Sequence, residues 1–539
     1  MSSSSRVERT ATSTPVIVPN LATSIRVGGA LIVALWALLR MRTIAATWDD
    51  PIIENVDYYH RSLGETTGYD TLGEYPVPLV GWLRLLNWLA QANHERFFML
   101  FLVACAATDL AMLLALIRRA GQISRADETL GVYALLGPLT WVVAMNFGSP
   151  LAYHRLDLFP AVLVGVSLLL MTRPAMPLKE GSEHAGVPPL TEGAVIASAA
   201  TLAVAAELKL WPLALVPLLL AVAWRVSNRY AGLFAAAFTS VAGAITLWSL
   251  ALAGWSRFIN PFINQGERGL QTESVWATLP VISRLSDPYS TYHVFEYGAH
   301  HVHGPGVASA LLMSKIATLL GGLFILWLAW RLLPRGRALL PQSISWLTNR
   351  GDLAEVAAAR ARLVAAKKVD DAATDAPTKK AKGAQAAAEG EKKDAKAGGT
   401  SSTQKPALVA RVSAWLGLED PAMVAVLGSM AVGIVLTSSP VFSTQFIVWL
   451  LAPLAVLATV SAHKPSLQRT AVVAAAILGY LTSKVYPELY WKFVSYDPVP
   501  VTEPYATWVL AARNFLVVAF TLYLCAVAFL STSRRGHKP

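Results

Sequence analysis

Apolar residues in this chain gather into runs, and the charges sit between them. The runs are Ile25–Ala46, Phe97–Ile117, Leu130–Asn146, Leu158–Met171, Gly193–Ala206, Leu210–Trp224, Ala231–Ala253, Val307–Trp330, Met423–Leu436, Phe446–Ala462, Ala471–Val485 and Ala506–Leu530. About 20 apolar residues cross a bilayer as a helix, so the pattern predicts an all-α polytopic membrane protein with about twelve transmembrane helices. Several runs are shorter than that and need tilt or local bilayer thinning. Gly193 to Trp224 reads either as one overlong kinked helix or as two short ones meeting at Glu207–Lys209. A closed barrel is the other spanning solution, and it needs short alternating segments that this sequence lacks.

Charge decides between the two readings. Arg118, Arg119 and Arg125 follow the second run, Arg173 and Lys179 the fourth, and Arg225 and Arg229 the sixth. Arg331, Arg335 and Arg337 follow the eighth, and Arg534 and Arg535 follow the last. All of these fall on one side only if the chain reverses at Lys209, and basic loops stay cytoplasmic. Two short helices, cytoplasmic termini and external odd loops are therefore expected. The net charge of +11 then follows from topology and does not imply nucleic acid as a partner. The first run is too long for a signal-peptide core, and no small-x-small cleavage pattern follows it, so it reads as an uncleaved span. Cys105 and Cys525 lie inside apolar runs, with no disulfide or metal spacing.

Composition changes at about 348–406. This Ala/Lys/Glu/Gly-rich stretch cannot bury a core and is expected to be a disordered cytoplasmic insert. It separates an N-terminal transmembrane bundle (1–347) from C-terminal transmembrane helices (407–539). "ALVARVSAWLGL" just after it is amphipathic and suits the membrane surface.

Two long loops, Trp48–Arg96 and Gly254–Gly304, fall outside in this topology, and long ordered loops tend to carry function. "VPLVGWLRLLNWLAQ" in the first suits an amphipathic helix along the outer leaflet. Asp49 and Asp50 read as a helix boundary before Pro51. In "ENVDYYHR", Glu54, Asp57 and Arg61 share a face if the segment is helical. A carboxylate there can take a proton from a sugar hydroxyl. Arg155 in "YHRLDLFP", Lys209 in "AELKLWP" and Arg268 in "ERGLQTES" stand near outer span ends, where a cation is costly unless paired or functional. Snorkelling and internal pairs such as Arg155–Asp157 explain part of this set. A lipid phosphate would explain the rest, Arg being the better phosphate fork. "HHVH" (His300, His301, His303) lacks a fourth spaced ligand, so no metal site is assigned.

An acid after the first span, then "EYPVP", "HRLDLFPA", "KLWPLALVPLLL", "RGLQTES" and "STQFIVWLLAPL", in that order, resembles glycosyltransferase family 87 of the C-type superfamily. That family includes polyprenol-phosphate-mannose-dependent mannosyltransferases that build bacterial phosphatidylinositol mannosides. The resemblance spans nearly the whole chain apart from the insert. It implies a C-type glycosyltransferase fold in a bacterial plasma membrane, with an extracytoplasmic site and no cofactor. It also implies inverting transfer of a sugar, mannose being the family's usual one, from a polyprenyl-phosphate donor to a glycolipid or glycan acceptor among the membrane lipids. The family's base falls on Asp57. Its Tyr-Pro-Pro is "YPVP" here, with Tyr75, Pro76 and Pro78, one residue off the pattern. Arg268, Lys209 and Arg155 would bind the donor phosphate, and Tyr75, Glu273, His300 and Gln445 would line the pocket. A lipid or glycan transporter is the alternative, and transporters often show repeated halves, which this sequence does not.

Overall fold

The computed structural model describes residues 21–47, 54–65, 68–125, 128–173, 189–333, 421–494 and 503–532. Asp49, Asp50, the 348–406 insert and the amphipathic stretch after it lie outside the described residues. The described residues on both sides of the insert belong to one compact unit.

In chain order the helices are α1 (Leu21–Thr47), α2 (Glu54–Glu65), α3 (Val77–Leu89), α4 (His94–Ser124), α5 (Glu128–Ala134) and α6 (Leu136–Ala152). α7 (Leu158–Met171) and α8 (Glu192–Leu208) lead to a 3-10 turn, Trp211–Leu215, then α9 (Val216–Val226) and α10 (Asn228–Glu267). α11 (Thr278–Ser283), strands β1 (Tyr292–Glu296) and β2 (Ala299–His303), and α12 (Val307–Leu332) follow. After the insert come α13 (Pro421–Ser438), a 3-10 turn at Thr444–Phe446, α14 (Ile447–Val460), α15 (Pro465–Ser483), the one-turn α16 (Tyr490–Phe493) and α17 (Pro504–Thr532).

The apolar runs fall on helical segments, Leu130–Asn146 across α5 and α6 and Leu210–Trp224 across a 3-10 turn and α9. Among the described residues, seven helices are long and apolar enough to cross a bilayer: Ile25–Ala46, His94–Ser124, Leu130–Gly148, Asn228–Glu267, Val307–Leu332, Pro421–Ser438 and Pro504–Thr532. The chain is thus a helical polytopic membrane protein. The other apolar helices are shorter, among them Leu158–Met171, Trp211–Val226 and Thr444–Val460. The chain does break at Lys209, which ends α8 in an extended conformation (φ −155°, ψ 143°).

Burial follows the polarity pattern. α14 has no polar face, every residue in it is buried, and it packs against α6, α7, α13 and α15. A helix apolar all round belongs at the centre of a bundle. α1, α10 and α12 instead expose Leu31, Leu38, Leu247, Trp248, Leu319 and Leu323, as a lipid-facing surface does. Polar residues inside α1, α4 and α6 are used for clamping. Fully buried Asp109 accepts from Arg40 Nε (2.6 Å), Trp36 Nε1 (2.9 Å), Trp141 Nε1 (2.6 Å) and Tyr153 Oη (2.7 Å).

Two features of the second long loop differ from the sequence reading. Its first part is helical: α10 continues to Glu267 across a kink at Gly254 (φ 74°), a backbone conformation that glycine adopts without strain. Further on, Tyr292–Glu296 and Ala299–His303 form an antiparallel hairpin, so the protein is not wholly α. Its turn residues, Tyr297 (φ 51°) and Gly298 (φ 69°), both have positive φ, as a tight hairpin with the right twist requires.

Candidate functional site

The segment between α2 and α3 is held from above. Arg257, just past the Gly254 kink, donates to the carbonyls of Tyr69 (2.5 Å), Thr71 (3.3 Å), Leu72 (3.1 Å) and Tyr75 (2.9 Å). This fixes Glu74 and Tyr75 ahead of α3, which starts at Val77 with Pro76 as its N-cap. Tyr59, on the buried face of α2, meets Tyr75 hydroxyl to hydroxyl at 3.2 Å. Its neighbour Tyr58, which is exposed, donates to Glu74 Oε1 (2.9 Å).

Beside these two tyrosines the three predicted phosphate-binding cations come together. Arg155 precedes α7 and lies within electrostatic reach of Tyr59, Tyr75 and Asp157. Lys209 Nζ bonds Asp157 Oδ1 at 2.5 Å, and that oxygen also accepts from Trp449 Nε1 at 2.8 Å. Below Lys209 lies an aromatic floor. Its ammonium is 4.7 Å from the Phe446 ring centre and 5.4 Å from that of Trp449, which stacks on Phe446 and Trp211. Such cation–π contacts favour a desolvated ammonium. Arg268, from the loop after α10, interacts electrostatically with Tyr75, Glu74, Arg155 and Asp157. Burial pushes the Lys209 and Arg268 pKa values down, and nearby Asp157 opposes this in both. Nε of Arg155 and Nε of Arg268 are buried without a hydrogen-bond partner among the described residues. A pocket with three cations and one directly paired carboxylate is electropositive, which disposes it to take an anion.

An apolar groove opens next to this pocket. Its cavity of about 170 Å³ is lined by Pro76, Pro78, Leu210, Leu213, Phe238 and Phe262, among others. Pro76 and Leu210 are the chain neighbours of Tyr75 and Lys209, and Glu207 and Thr246 also line the groove.

The remaining predicted residues divide. Glu273 is buried on the loop that carries Arg268, and Arg155 is within its electrostatic reach. Burial pushes its carboxyl up to about 7. Gln445 is buried in the 3-10 turn beside Phe446 and accepts from Ser443 Oγ (2.6 Å). His300 packs among Phe295 (5.1 Å), Tyr490 (5.5 Å) and Trp491 (5.3 Å), away from the cations. Strand alternation turns its neighbour His301 the other way, toward Arg268. Burial pushes the His301 imidazole down to about 4, so it is neutral at pH 7. Asp57 stands apart. It lies on the face of α2 opposite Tyr59, and its Oδ1 accepts from His94 Nε2 at 2.5 Å. Both side chains of this pair are partly exposed, Asp57 by 32%. Glu74, which the sequence reading passed over, is the carboxylate of this segment within the field of Arg268.

No family model, curated protein or solved structure matches the chain.

Proposed function

We propose that this protein is an inverting membrane glycosyltransferase of the C-type fold, with about twelve crossings in total. It would move a sugar, mannose on the resemblance to family 87, from a polyprenyl-phosphate donor to a glycolipid or glycan acceptor on the outer face. The observation that carries this reading is the electropositive cluster of Arg155, Lys209 and Arg268, with a largely apolar groove lined by the chain neighbours of Tyr75 and Lys209. A polyprenyl phosphate has these two parts in this order, an anionic head and an isoprenoid tail.

The chemistry is a single displacement. A carboxylate, Asp57 on the resemblance to family 87 or Glu74 on its position beside Arg268, takes the proton of the acceptor hydroxyl, the hydroxyl oxygen bonds to the anomeric carbon from the side opposite the phosphate, and the bond to phosphate breaks. The electron pair leaves with the polyprenyl phosphate, whose charge grows by one. Cations fixed in place before that charge develops lower the barrier. The partial exposure of Asp57 leaves it reachable by an acceptor from outside, and its bond to His94 fixes the orientation of the carboxylate.

The test incubates purified protein with polyprenyl-phosphate sugars and candidate acceptor glycolipids, and follows new glycolipid by mass spectrometry. General-base assistance is commonly worth about 10² to 10⁴ in rate, so Asp57→Asn should lose at least that order. Glu74→Gln is the comparison. Full turnover by Asp57→Asn with loss in Glu74→Gln moves the base to Glu74. No transfer by the parent from any lipid donor leaves transport as the better reading of pocket and groove.

A further inference from the structure

α3 and α4 meet in a tight turn beside a second hollow. Gln91 (φ 55°) and Ala92 (φ 54°) both take the left-handed conformation, which residues other than glycine adopt at a cost. Backbone bonds hold the turn: Gln91 N donates to Trp88 O (3.0 Å) and Ala92 N to Asn87 O (3.0 Å). Asn93 Oδ1 caps α4 by accepting from Arg96 N at 2.9 Å. The last turn of α3 is thus fixed against the first turns of α4. Leu89, Glu95, Arg96, Met99 and Leu100 line a cavity of about 540 Å³ there, and none of them lines the groove beside Lys209.

This hollow is charged at one end and apolar at the other. Glu95 and Arg96 lie in the first turn of α4, and its apolar run starts at Phe97, so the two charges fall at the bilayer boundary of a spanning helix. Glu95, Arg96, Met99, Leu100 and Val103 share one face at helical spacing. Met99 and Val103 are exposed on that face, as a surface in contact with lipid chains is. On α3, Leu85, Trp88 and Leu89 are exposed at i, i+3 and i+4, Trp88 by 73%. Tryptophan favours the boundary between headgroups and hydrocarbon.

The two charges are uncommitted. Among the described residues Glu95 makes no side-chain hydrogen bond or ion pair, and the Arg96 guanidinium uses only Nη1, which donates to Gln91 Oε1 at 2.7 Å. Carboxylate and guanidinium side by side above an apolar wall match an amphiphile whose head carries both signs. A primary ammonium has three hydrogens to donate to a carboxylate, whereas a quaternary one has none. A head that is only anionic would meet the Glu95 carboxylate as a like charge.

We propose that this hollow binds a zwitterionic phospholipid with a primary ammonium. Arg96 donates to its phosphate, Glu95 accepts from its ammonium, and an acyl chain lies along Met99 and Val103. The site is independent of the proposed transfer reaction.

The experiment titrates the full chain in detergent micelles with dioleoyl phosphatidylethanolamine, phosphatidylcholine or phosphatidylglycerol, and reads bound lipid by native mass spectrometry. Phosphatidylethanolamine should bind about fivefold or more tighter than the other two, since a charge-assisted hydrogen bond is worth about tenfold or more when buried and less at an exposed rim. Glu95→Gln keeps the size of an exposed side chain and should erase that margin. Met99→Trp fills the hollow and should weaken phosphatidylethanolamine by a similar factor. Equal binding of the three lipids by the parent overturns the proposal, as does a margin that survives Glu95→Gln. Phosphatidylcholine binding as tightly as phosphatidylethanolamine removes the ammonium bond to Glu95, and tightest binding of phosphatidylglycerol makes this an anionic-lipid site; either result overturns it too. Unchanged phosphatidylethanolamine binding in Met99→Trp puts the lipid elsewhere and is equally fatal.

Discussion

Two cations of the same pocket should respond to the same substitution in opposite ways. Arg155 makes no ion pair among the described residues, and its buried Nε has no partner. Arg155→Met therefore removes a desolvated charge that the fold does not use, and stability should be unchanged or slightly higher. What it removes from a phosphate ligand is a charge-assisted hydrogen bond, about 1.5–3 kcal/mol, or roughly 10- to 150-fold in affinity. Lys209→Met strands the Asp157 carboxylate, 2% exposed, with Trp449 Nε1 as its remaining described donor. Breaking a buried pair from one side costs about 3–5 kcal/mol. The assay pairs thermal unfolding of ligand-free protein with titration of farnesyl phosphate by tryptophan fluorescence, Trp449 and Trp211 being close to the ammonium. Lys209→Met should melt well below the parent, and Asp157→Asn added to it should recover much of the loss. Equal destabilisation by both single variants, with affinity retained in Arg155→Met, would refute the assignment and make Arg155 a structural residue.

The Asp109 hub makes a second case: Asp109→Leu leaves Arg40 buried and unpaired, so a double-mutant cycle with Arg40→Met should show coupling of about 3 kcal/mol or more by reversible unfolding in mixed micelles. Coupling near zero would show that water reaches Arg40. The Glu273 carboxyl, raised from 4.5 to about 7, keeps its proton in the folded chain across that window. Stability should therefore fall by up to about 3 kcal/mol as pH rises through it, then level, and Glu273→Gln should flatten the profile. An unchanged pH profile in that variant would assign the effect elsewhere. Arg257→Ala should speed amide exchange across residues 69–75, since four carbonyls of that segment lose their shared donor, and unchanged protection would show that α3 alone fixes it.

Much of this arrangement was legible along the chain. Arg155, Lys209 and Arg268 announced themselves by cost, as cations beside hydrocarbon, and the structure gathers them. The break at Lys209 came from loop charge, and the helix does end there. What sequence could not supply was pairing. Asp157 looks like the neighbour of Arg155, but its direct partner is Lys209, 52 residues on. Glu207 looks like the partner of Lys209 but accepts from Thr246. Nothing local distinguishes such pairs, because contact is decided by how α7, α8 and α10 pack. The hairpin had a signal that was missed: "YHVFEYGAHHVH" alternates around Tyr-Gly, and its histidines drew attention as possible ligands instead. The helix beyond Gly254 was hidden because a glycine, then a mixed stretch with Pro261 in it, reads as the start of a loop. Asp57 falls on a helix, the condition under which it shares a face with Glu54 and Arg61, but His94 as its partner depends on how α4 begins against α2.

Asp157, Lys209 and Trp449 meet at one carboxylate oxygen, and this has a consequence for biogenesis. When Lys209 is added to the chain, Trp449 is 449 − 209 = 240 residues from being made. At about 5–20 residues per second this is a delay of roughly 12 to 48 s. During it the first helices are already in the bilayer and the lysine can reach its aspartate, but the aromatic floor beneath it does not yet exist. The site is thus completed by one of the last helices to be synthesised, and a nascent chain cannot engage a lipid phosphate there in its final form before nearly all of the protein has been inserted.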